Sequence, residues 1–113
     1  MINGYEPAVD AYEIPKRIRE EVIIRDRVEI FPFSSREARR QDLDHTTPFE
    51  RGAPKQTRAS NLGPLSRRAH RAKTHHPGWE LIQTRPGVFW WRTGMNQIFR
   101  VGPNGTTVFT GTV

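Results

Sequence analysis

Four polar side chains have types and spacing that chemistry could use: Asp44 with its neighbour His45, Asn61 sixteen positions on, and His70 nine further. Imidazole exchanges protons near neutral pH, and imidazoles and carboxylates are both donors to divalent cations. Taken singly, each residue is commonplace. A lone His is usually a surface or hydrogen-bonded group, and an Asn opening a segment is usually a turn or cap. The chain contains no cysteine, so disulfides and thiolate metal sites are excluded and any metal must rest on His, Asp, Glu or Asn.

The elements that must position these residues read as follows. Residues 1–13 carry Gly, Pro and scattered acids without periodicity and predict a flexible lead-in. Ile14, Ile18 and Val22 stand four apart, with Pro15 near the first helical position, and predict an amphipathic helix ending near Asp26. VEIFPF is an extended signature that Pro32 terminates or moves to an edge, and SSREARRQ reads as a short turn or helical cap. Leu43 to His45 is a brief strand entering a polar loop over roughly residues 46–60, long enough that something must hold its two ends. LGPL is too rich in Gly and Pro for a helix interior, whereas Ser66 is an N-cap for a helix over about residues 66–75 that Pro77 and Gly78 stop. WELIQT, VFWWRT, QIFRV and TTVFT, separated by Gly-rich and Pro-rich turns, predict an antiparallel β-meander over residues 79–113. Alternation puts Trp90 and Trp91 on opposite faces, so at least one belongs to the core.

A length of 113 residues allows one small domain with a thin core. Hydrophobic content of 35% and a mean hydropathy of -0.72 are low, so the three Trp and six Phe must supply much of the packing. Lys and Arg outnumber Asp and Glu by 18 to 12, a net +6 that predicts an anionic partner, nucleic acid first. Arg67, Arg68, Arg71 and Lys73 concentrate that charge on the helix that bears His70, where they either contact phosphates or form a solvated face. His75 and His76 read as end-of-helix surface groups. No stretch reaches the apolar length of a membrane span, and Met1 to Pro7 lack the features of a signal peptide, which predicts a cytoplasmic protein without membrane contact.

Together the residues read Asp-Leu-Asp-His-x-x-Pro, a loop, then Asn-Leu-x-x-Leu-x-x-x-x-His-x-x-Lys. This resembles the HNH endonuclease family from about Val28 to His75. DLDHTTPF, QTRASNLGPLSRRAHRAKTH and GVFWWRT look like the HNH region at the C-terminal end of an actinobacterial repeat family, in which a larger N-terminal domain precedes it. VDAYEIPKRIREEVIIRD resembles the stretch before that region.

The resemblance implies an α+β fold with a ββα-metal (His-Me finger) HNH core within residues 14–78. It also implies a DNA-cutting hydrolase: His45 as general base, Asn61 orienting it through the loop, and Asp44 with His70 on one divalent ion. Mg²⁺ or Mn²⁺ is favoured, with Zn²⁺ or Ni²⁺ as alternatives. Many relatives frame the site with Cys pairs on a structural zinc; here Ser66 and Ala69 occupy the second pair's positions, so that zinc is not expected. Two other readings stand beside the enzyme. One is a truncated, non-catalytic remnant that binds nucleic acid through the Arg-rich helix. The other is an interaction domain in which Asp44, His45 and His70 merely hold a folding metal. The sequence carries no signal of oligomeric state.

Overall fold

The computed structural model describes residues 6–109. It is an α+β chain of two helices and antiparallel strand pairs, in the order β1 (Ala8–Val9), α1 (Lys16–Asp26), β2 (Asp42–His45), β3 (Thr57–Arg58), β4 (Leu62–Leu65), α2 (Arg67–His75), β5 (Glu80–Arg85), β6 (Val88–Arg92), β7 (Ile98–Gly102) and β8 (Gly105–Phe109). Among the described residues no helix is long and apolar enough to cross a membrane.

Helix α1 forms where expected, starting behind Pro15 and burying Ile18 and Val22 one turn apart. These pack on Ala59 and Leu62, with Ile14 and Leu43 at the margin. Strands β5 to β8 pair successively into a four-stranded antiparallel meander. Its tight turns use Gly87 (φ 81°) and Gly105 (φ 103°), conformations that a side chain disfavours. The inner face of the meander contributes Phe89, Trp91 and Val101 to a second cluster with Ile30, Leu65 and Ala69. Trp91 is buried and its indole N–H donates to the Ile30 carbonyl at 2.9 Å, while Trp90 lies on the other face against Phe109, as alternation requires.

The hairpin β2–β4 lies between the two clusters. Its register pairs Asp42 with Leu65, Asp44 with Gly63 and His45 with Leu62. Leu62 and Leu65 have opposite parity on β4, so one side of the ribbon packs toward α1 and the other toward the meander. Gly63 is required by close packing, since a Cβ there would lie 2.8 Å from Ile30 and 2.9 Å from Phe89.

Three expectations are corrected. Residues 6–13 of the lead-in pack on the body: Ala8 and Val9 pair with Arg58 and Thr57, and the Glu6 carboxylate accepts from the Ser60 backbone and hydroxyl at 2.8 and 2.7 Å. Residues 1–5 fall outside the described residues. VEIFPF is not a strand; Arg27 just before it and Phe33 at its end adopt positive φ, and an isolated bridge joins Val28 to Glu37. Its alternation reflects two separate demands, Ile30 for the core and Glu29 for hydrogen bonds. The loop over residues 46–60 is not structureless, because β3 forms within it and Asn61 ties its ends.

Candidate active site

Strand β2 ends at the site, and its alternation sends Asp44 and His45 to opposite sides of the ribbon. Asp44 faces α2. That helix starts at Ser66, whose hydroxyl accepts from the Ala69 N–H at 3.2 Å, and this phases the helix so that His70 and Lys73, three residues apart, share one face. His70 Nε2 lies 3.1 Å from one Asp44 oxygen, and Lys73 Nζ lies 2.5 Å from the other. The Asp44 and Lys73 side chains are mostly buried, whereas the His70 ring is half exposed.

His45 lies on the other side. Its Nε2 is 2.9 Å from the Thr57 hydroxyl, Tyr12 stacks on the ring at 5.3 Å, and Phe49 meets it edge-on at 5.4 Å. Burial pushes the pKa of His45 below the usual imidazole value; the Asp44 charge opposes this and the Lys73 charge adds to it. The ring is therefore neutral at physiological pH and able to accept a proton.

Asn61, buried beneath the loop, spans its two ends. Its amide oxygen accepts from the Thr46 hydroxyl at 2.9 Å and the Thr47 N–H at 2.8 Å, and its amide nitrogen donates to the Gln56 carbonyl at 3.0 Å. The residue after His45 is thus fastened to the residues before β4, and among the described residues no hydrogen bond joins the Asn61 amide to the imidazole. Asp44, His45, His70 and Lys73 line one open cleft of about 840 Å³, rimmed by Tyr12 and Phe49.

Two donors on one small ion at about 2.0 to 2.3 Å lie about 3 Å apart when they meet it at right angles. Asp44 and His70 already have this separation. Among the described residues no group of three or more His, Cys, Asp or Glu side chains surrounds a common point, so a closed structural site is not built there. The donor set suits an ion with two protein ligands and open positions, held on the Asp44 oxygen that faces His70 while Lys73 keeps the other.

The basic residues divide. Arg68 and Arg71 are exposed and make no ion pair among the described residues; Arg67, also exposed, lies 3.6 Å from Asp42. Lys73 departs from expectation, because it turns into the site instead of joining the exposed arginines. His75 and His76 are exposed at the helix end, as expected. Sequence reading missed Thr57, Tyr12 and Phe49, whose proximity to His45 has no periodic signature. No family model, no curated protein and no solved structure matches the chain.

Proposed function

We propose that the chain is an HNH-type, metal-dependent endonuclease that hydrolyses DNA phosphodiester bonds on a ββα-metal core made of β2, β4 and α2. One observation carries the reading: Asp44 and His70 meet at 3.1 Å on one side of a strand end whose other side presents a neutral, ring-stacked imidazole to the same cleft.

His45 takes the proton from the attacking water, a role worth typically about 10² to 10⁴ in rate for a well-placed base. Asp44 and His70 would hold one divalent ion, Mg²⁺ or Mn²⁺ in preference to Zn²⁺ or Ni²⁺. When bound, it supplies positive charge where the phosphate and the leaving oxygen become more negative. Asn61 orients His45 by closing the loop that follows it. Arg68 and Arg71, with Arg67, hold the nucleic-acid backbone without reading its sequence. Fusion to a larger N-terminal domain belongs to the same proposal.

Supercoiled plasmid incubated with the protein and Mn²⁺ is expected to be nicked. His45→Ala should abolish nicking and leave Mn²⁺ affinity nearly unchanged; nicking by this variant defeats the base assignment.

The ion pair between Lys73 and Asp44 favours a second reading, a non-catalytic nucleic-acid-binding module, since the carboxylate is already neutralised by the chain's own ammonium. That module binds DNA with an affinity that falls with salt and forms no product with any ion.

A further inference from the structure

We infer that Thr57, backed by the Ala11 carbonyl, is a positioning residue that holds His45 as the Nε2–H tautomer and leaves Nδ1 as its basic atom. The catalytic consequence rests on the nuclease reading, whereas the tautomer does not.

The Thr57 hydroxyl lies 2.9 Å from His45 Nε2 and 2.5 Å from the Ala11 carbonyl oxygen. A carbonyl can only accept, so the single hydroxyl hydrogen points to Ala11; otherwise two sets of lone pairs would face each other across that contact. Toward His45 the hydroxyl then offers a lone pair. Nε2 must carry hydrogen to use it, and a neutral imidazole has one N–H, so Nδ1 holds the free electron pair. Thr57 is fully buried, which keeps water from competing for its hydroxyl. Among the described residues Nδ1 has no hydrogen-bond partner. Among the described residues no buried side-chain nitrogen or oxygen lacks one, so solvent reaches Nδ1 from the cleft that His45 lines.

The segment before α1 delivers this arrangement. Val9 pairs with Thr57 in the β1–β3 ladder, which sets Ala11 against the hydroxyl, and the next residue, Tyr12, lies on the imidazole face. Phe49 contacts both rings, at 5.4 Å from His45 and 5.2 Å from Tyr12. Tautomer and ring plane are therefore set together by Ala11 and Tyr12 before α1 and by Phe49 and Thr57 in the loop after β2.

The test uses the full chain, uniformly ¹⁵N-labelled and free of metal, at about pH 8.5, where an imidazole is neutral. Long-range ¹H–¹⁵N correlation, with His45 assigned by its loss in His45→Gln, is expected to show Nε2 protonated and Nδ1 bare. Thr57→Val keeps the shape and removes the hydroxyl. It should mix the two tautomers and reduce nicking with Mn²⁺ by about 10 to 100-fold, the usual cost of losing an orienting partner. Thr57→Ser, which keeps the hydroxyl and loses only the methyl, should restore both readouts; a packing role predicts the reverse order. A wild-type His45 protonated on Nδ1 overturns the inference even if the Val variant does not fold, and so does an unchanged tautomer in a folded Val variant. Absence of nicking by the wild-type chain sinks the nuclease reading, while the spectrum still decides the tautomer.

Discussion

Lys73 holds the Asp44 oxygen beside the one that faces His70, so the nuclease reading makes ammonium and ion competitors for the charge of one carboxylate. Lys73→Met removes the competitor and is expected to raise Mn²⁺ affinity in calorimetric titration by about tenfold, equivalent to about 1.4 kcal/mol. Weaker binding would mean that Lys73 supports the ion instead. His45 supplies a second prediction. Burial holds its folded pKa below the value of 6.5 that it has when unfolded, so the unfolded chain takes up the proton first as pH falls. The stability associated with the neutral ring is present above pH 6.5 and is lost as pH drops from there through the folded value. Melting temperature should be flat above about pH 7 and decline below, with a shallower decline in His45→Gln. Parallel declines would remove His45 as the cause.

At the level of elements, helix α2 is anchored by a residue from outside it. Glu29 is buried, and its carboxylate accepts from the Ser66 N–H at 2.7 Å and the Ser34 hydroxyl at 2.8 Å. The negative charge lies at the positive end of the helix that carries His70. Glu29→Ala takes the charged acceptor from these half-buried donors and is expected to cost about 1 to 3 kcal/mol in urea unfolding. A change near zero would show that solvent replaces the carboxylate. The helices and the meander were legible because their signals are local: Ile18 and Val22 one turn apart, Ser66 before a run of helix formers, and Gly-containing turns between apolar runs. The two-residue strands β1 and β3 were not, since neither is long enough to show a period.

For the whole molecule, the apolar clusters on either side of the β2–β4 hairpin give the fold a basis independent of metal. Removing bound ion with EDTA should abolish nicking and leave the far-ultraviolet circular dichroism at 25 °C unchanged. Loss of secondary structure under EDTA would instead favour a folding metal held by Asp44, His45 and His70. Net charge acts at the same scale: +6 over 113 residues favours association with a polyanion, while the exposed Arg68 and Arg71 make one face of α2 available to it.

By themselves the amino acids determined which groups could react, which segments form helix or meander, and that no thiolate takes part, because side-chain chemistry and short-range periodicity are properties of neighbouring residues. Only the tertiary structure decided that Asp44 meets both His70 and Lys73, and that Thr57 and Ala11 hold His45. These contacts span 12 to 46 positions of chain, and no local repeat encodes a distance that packing alone closes.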